Sequence, residues 1–247
     1  MRYSGVPAVL AGRASRVLRP RDAAEIYARP NQEFRRLAER GLLWPAAHGY
    51  YVIVPPYAVG DHHWRPSIES LALGIAVADY GPEATALDSL SAARHLGAIP
   101  RALGIATATV PKQRGSLLTP VGTIVLHLRH AGNLETQRAT TDLADGYVTT
   151  LEQSMLDLAT AAEVGRVSAN TVTEALENLS GRVDWARVEK LAYRQHRPGD
   201  YARARWVTAP VTGAATAELR PRNGFDARGL APRHEGSAGS EFGLRPQ

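Results

Sequence analysis

Residues 35–56 read RRLAERGLLWPAAHGYYVIVPP, and the parsing of this stretch decides the fold of the segment around it. Phe34 starts an i, i+3, i+4, i+7 series with Leu37, Ala38 and Gly41, the spacing of one apolar helical stripe. Gln32, Arg35, Arg36, Glu39 and Arg40 are left on the outer face, and Gly41 is expected to stop the helix. Leu42 and Leu43 then open a strand, PAAHG turns the chain and YYVIV returns. The aromatic strand, Tyr50 and Tyr51, is expected to pack this hairpin on to the helix.

Upstream, Pro30 breaks the pattern, because the residue before a proline is pushed out of the α region. Asn31 is the expected N-cap of the second helix, with Glu33 in its first turn. An earlier short helix is expected from about Pro20, with Asp22 and Glu25 complementing its dipole and Ala24, Ile26 and Tyr27 on its apolar side. Helix, short turn, helix and hairpin form the winged helix-turn-helix plan. A helix about 10–12 Å across fits the major groove of B-DNA, where base edges carry a readable pattern. Residues at its N-terminus reach bases, and its arginines hold phosphates. The candidate DNA-binding residues are Arg16, Arg19, Arg29, Asn31, Gln32, Arg35, Arg36 and Arg40, with His48 at the hairpin tip.

The charge distribution points the same way. The chain of 247 residues carries a formal net charge of +5. Residues 1–60 hold nine Arg against four acids, which accounts for that whole surplus. Residues 61–211 sum to −1 and residues 212–247 to +1. A localised basic patch is the footprint expected of a nucleic-acid face.

The length suits one large domain or two modest ones. Cysteine is absent, which excludes disulfides and thiol chemistry. The N-terminal apolar run is too short and interrupted for a signal peptide, and no apolar stretch approaches the roughly 20 residues of a membrane span. A cytoplasmic chain with no membrane partner is the expectation.

Beyond the prolines and glycine near residue 60, SIESLALGIAVADYG places Ile68, Leu71, Ala72 and Ile75 on one helical face, capped by Ser67 and stopped by Gly81. LDSLSAARHLG reads as a second helix closed by Gly97. IATATVP and GTIVLHLRH read as strands, with Ile124, Leu126 and Leu128 alternating against Val125, His127 and Arg129. Three further helices follow: one with Leu151, Met155 and Leu158, one with Val172, Ala175, Leu176 and Leu179, and one with Trp185, Val188 and Ala192 behind an Asp184 cap. The last 36 residues are rich in Gly, Ala, Pro and Arg without apolar period and read as a disordered tail, whose end has a vector-like composition. The expected organisation is therefore an α/β (α+β) chain: a winged helix-turn-helix over 1–60, a mixed helix-and-sheet domain over 61–211 and the tail over 212–247.

Other constellations carry less. Asp61, His62 and His63 lack a third ligand at a supportive spacing, since neighbouring side chains of an extended chain diverge. Ser154 and Asp157 lack a partnering His, and KQRGSLLTP lacks the phosphate-loop glycines. His127 and His130 beside Arg129 form a small anion site or, more simply, the solvent face of a strand. Trp185 reads as core. No catalytic residues, metal or cofactor are expected, and the chain is not expected to be an enzyme.

RLAERGLLWPAAHGYYVIVP resembles the N-terminal winged-helix segment of the AbiEi-type antitoxins of abortive-infection toxin–antitoxin systems, in which an L..RGLL....RG.Y...P pattern closes the recognition helix and opens the wing. ALDSLSAARHLG, the strand pair, YVTTLEQSMLDLA and RVDWARVEKLAYR follow the order of elements in that family's C-terminal region, so the resemblance covers roughly residues 15–207. His48 stands where many members have Arg, which exchanges a permanent charge for an imidazole. The resemblance implies a repressor that binds inverted repeats of double-stranded DNA in its own promoter. It also implies a second domain that counters a nucleotidyltransferase-like toxin. The alternative is a ligand-sensing regulator, or an enzyme under a winged helix, which requires a convergent polar pocket.

Overall fold

Alternation along the strands gives the central sheet two unlike faces. The computed structural model describes residues 5–160 and 167–209. Within them, β4 (Ala86–Leu87), β5 (Ile105–Val110), β6 (Leu117–Thr119), β7 (Gly122–Leu128), β8 (Thr136–Thr140) and β9 (Asp145–Thr149) form a mixed sheet in the order β6-β7-β5-β4-β9-β8. β5 runs parallel to β7 and β4 parallel to β9, while the remaining pairs are antiparallel. Ala106, Ala108, Val110, Ile124 and Leu126 enter one apolar cluster. Their neighbours Thr107, His127 and Arg129 bond to Asp88 and Asp157 instead.

Against the apolar face lies α3 (Ile68–Tyr80), capped by Ser67 and stopped at Gly81 as its sequence predicts. A single buried stripe is expected there, yet residues 68–77 are all buried. The reason is a second cover. Val17, Ala46, Tyr50 and Val52 from the N-terminal segment join the cluster that α3 makes with the sheet. On the polar side pack α4 (Ser89–His95), α5 (Leu151–Thr160), α6 (Ala169–Ser180), α7 (Trp185–Arg194) and α8 (Pro198–Val207), around Leu90, Met155, Leu158, Leu176, Leu179, Val188 and Leu191. Asp184 caps α7 as predicted, accepting the Ala186 and Arg187 amides at 3.0 and 3.4 Å. Trp185 is half-buried, its Nε1–H donating to the Ser180 carbonyl.

The N-terminal segment contains α1 (Ala8–Ala11), β1 (Val17–Leu18), α2 (Pro30–Glu39) and the hairpin β2 (Leu43–Ala47) and β3 (Tyr50–Ile53), with strand order β1-β3-β2. Its own small core joins Leu10, Leu18, Phe34, Leu37, Leu43 and Ile53. The helix expected from Pro20 is a single 3₁₀ turn over Pro20–Ala23, at whose start the Asp22 carboxylate accepts the Arg19 amide at 2.8 Å. The boundary read at residue 60 runs through a shared core, so the two segments are packed as one body. No helix among the described residues is long and apolar enough to cross a membrane. Residues 212–247, read as a tail, lie outside the described residues.

Candidate nucleic-acid interface

α2 owes its placement to Phe34 and Leu37, which are buried while Gln32, Arg35, Arg36, Glu39 and Arg40 are exposed, as the spacing predicts. Its start differs from the expectation. Pro30 takes the first helical position, Arg29 is the N-cap, and Asn31 lies inside the first turn without a capping role. Proline is preorganised for that position and has no N–H to leave unsatisfied, so the N-cap lies two residues nearer the N-terminus than expected, at Arg29 instead of Asn31. The Gln32 and Glu33 amides both donate to the Arg29 carbonyl at 3.1 Å. The end is a Schellman motif: Gly41, at φ 69°, donates to Ala38 O and Leu42 donates to Leu37 O, each at 2.9 Å.

The hairpin follows at once. Pro45, Ala46 and Ala47 belong to β2, and only His48 and Gly49 turn the chain, so the tip is tighter than the five-residue PAAHG turn expected. Ala46 is the bulged residue between two registers of β2 against β3. Tyr51 packs the hairpin on to α2 as predicted, its ring edge-on to Phe34 with centroids 5.3 Å apart. Tyr50 does something else. It faces α3, and its hydroxyl donates to Asp79 Oδ2 at 2.6 Å.

Asp79, only 3% exposed at its side chain, is the hub of this junction. Arg19 and Arg114 both pair with it, and the Arg21 guanidinium reaches to 4.0 Å. Arg19 also bonds Asp22, so this candidate is a half-buried structural residue that braces the 3₁₀ turn against α3. Arg16 is half-exposed, with its amide on the Leu143 carbonyl and its own carbonyl on the Ile53 amide. Arg29, Asn31, Gln32, Arg35, Arg36 and His48 are exposed, and Arg36 lies 3.5 Å from Glu33.

The structure brings the start of α2 and the tip of the hairpin together. Pro30, Asn31, His48 and Gly49 form one wall of a cleft of about 610 Å³, which Arg21, Tyr80 and Arg114 close from the other side. Arg35, Arg36 and Arg40 continue along α2 away from this cleft. Such an arrangement offers donors for base edges at the helix start and cations for phosphates beyond it.

A second polar assembly includes His127 and Arg129, expected on a strand's solvent face or at a small anion site, and adds partners that the sequence does not point to. Arg129 holds Asp157 through two bonds of 2.8 and 3.0 Å, and Arg197 and Gln153 bond the same carboxylate at 2.8 and 3.0 Å. His127 Nδ1 lies 3.0 Å from Asp88 Oδ2, in a fully buried carboxylate whose Oδ1 has no hydrogen-bond partner among the described residues. That bond raises the His127 pKa above its ordinary 6.5, against a smaller opposing effect of burial. Next to this network opens a cleft of about 1010 Å³ lined by Arg129, His130, Asn133, Glu135, Arg194 and Gln195. The alternation of His127 and Arg129 with apolar neighbours was the signal for it, but not the helices that cover them. Ser154 bonds Thr149 at 2.8 Å, and Asp61 accepts the His63 amide at 2.8 Å. No group of three or more metal-ligating side chains lies together among the described residues. No family model matches this chain, and no curated protein is similar to it.

Proposed function

We propose that this chain is an antitoxin and transcriptional autorepressor, binding inverted repeats in its own promoter through α2 and the hairpin and countering a nucleotidyltransferase-like toxin through the remainder. The observation that carries the DNA-binding half is the placing of an arginine-bearing helix beside a tight hairpin tip, with Gln32 and Arg35 exposed near the helix start. The antitoxin half rests on the serial resemblance to the AbiEi-type family described above. A gel-shift titration of the chain's own upstream DNA against a scrambled duplex tests the first half. Growth rescue of cells that express the neighbouring toxin from an unrelated promoter tests the second. Equal binding of both duplexes refutes the repressor, and loss of rescue by a DNA-binding-competent chain refutes the antitoxin.

One observation favours a second reading, a ligand-sensing winged-helix regulator without antitoxin function. It is the cleft of about 1010 Å³ beside the Arg129–Asp157–Arg197 network, since convergent polar groups around a concavity are the usual form of a small-molecule site. A small molecule that altered promoter affinity in the absence of any toxin would favour it.

A further inference from the structure

The loop between β5 and β6, residues 111–116, reads PKQRGS and lies far outside the basic N-terminal segment in sequence. In space it reaches that segment. Arg114 turns back to pair with Asp79, and its guanidinium lies 5.3 Å from the centre of the Tyr50 ring. Through these contacts it lines the same cleft as Asn31 and His48. Arg19, Arg21 and Arg114 converge on Asp79, with Asp22 offsetting one of them, so the cleft wall keeps a positive excess. Two residues before Arg114, Lys112 is exposed and makes no ion pair among the described residues.

A duplex carries one negative charge for about every 1.7 Å of its axis, so a protein surface that follows its backbone gains from each added cation. A groove-seated α2 and the adjoining hairpin tip leave backbone running past the mouth of the cleft, where this loop is the next basic element. We infer that residues 111–116 are an additional contact to the DNA backbone, in which Lys112 meets a phosphate and Arg114 is the positioning residue that holds the loop against Tyr50 and Asp79. The inference rests on the DNA-binding reading above. It adds a contact outside residues 1–60, the segment that holds the charge surplus.

The test uses the full chain and a fluorescent duplex of random sequence a few helical turns long, titrated by anisotropy over a series of salt concentrations. Lys112→Ala is expected to weaken binding to every sequence alike and to reduce the slope of log affinity against log salt by about 0.9, the value of one phosphate contact. Lys112→Glu weakens binding further, and Lys112→Arg restores the wild-type slope. Wild-type affinity and slope in both the Ala and Glu variants, alongside weakened binding by Arg35→Ala, overturn this inference and leave the DNA-binding reading standing. A wild-type chain that binds no duplex at low salt overturns both. Lys112 is exposed, so unchanged thermal unfolding of each variant separates contact loss from misfolding.

Discussion

A Cβ placed on Gly74 would lie 2.6 Å from Val17 Cγ2 and 3.4 Å from Leu143 Cβ. This approach sets β1 directly on α3, and the Ser15 hydroxyl donates to the Gly74 carbonyl at 2.8 Å across the same seam. Valine is stiff about χ1 and cannot swing aside cheaply. Gly74→Ala therefore sets overpacking of about 1–3 kcal/mol against a helix-propensity gain of roughly 1 kcal/mol, with net destabilisation expected. Val17→Ala opens the space, so the double variant should lose less than the two single losses combined. Urea unfolding of the four chains checks the sign, and strict additivity would show that the two residues do not compete for one volume.

Within α2, exposed residues near the start and further along should differ in kind. Gln32→Ala and Arg35→Ala are expected to lower the ratio of specific to nonspecific binding, by about 1–3 kcal/mol for each good base contact. Arg36→Ala should weaken all sequences together and flatten the salt dependence. Competition titrations against scrambled DNA distinguish the two. An unchanged specificity ratio in both Gln32→Ala and Arg35→Ala contradicts the placing of base contacts at the helix start.

Tyr50→Phe removes the hydroxyl that donates to Asp79 but keeps the ring beneath Arg114. A lost hydrogen bond to a charged, buried acceptor costs about 1–3 kcal/mol. Thermal unfolding should fall accordingly, while Tyr51→Phe leaves the Phe34 edge contact in place and should change little. Equal effects of the two substitutions would deny Asp79 its role at the junction.

His127 makes stability depend on pH. Its bond to Asp88 raises the folded-state pKa above 6.5, so the folded chain holds the proton more tightly than the unfolded one. The contribution is complete below the unfolded value and is lost as pH rises through the folded value. Denaturation midpoints should decline, relative to a His127→Gln chain, as pH rises from the ordinary imidazole value through the raised folded-state value. Parallel pH profiles of the two proteins would remove His127 as the source.

The sequence made some of these features legible and hid others for physical reasons. α2, α3, α5, α6 and α7 follow from apolar spacing, since each has a stripe that a 3.6-residue period reveals. β4 and β6 are too short for alternation to show, and the outward residues of β8 carry no apolar face of their own. α8 has little amphipathic signal because Ala204 is its one fully buried residue, so it went unread. The exposure of candidate residues such as Arg35 was readable because the helical period sets it locally. Arg19 was misleading, because its partner Asp79 is sixty positions away. The same holds for Arg129, whose partner Asp157 lies on α5, 28 positions away.

The core shared by Val17, Tyr50 and Val52 with α3 and the sheet has a bearing on how the chain can be divided. Residues 59–63 are an exposed connection that contributes nothing to that core. Severing the backbone there would free neither half, because each would still need the other to cover its apolar surface. Two separately expressed fragments should accordingly find one another and assemble, whereas the N-terminal segment grafted on to an unrelated carrier would arrive without its lining. In this molecule the N-terminal segment is portable only together with the body it packs against.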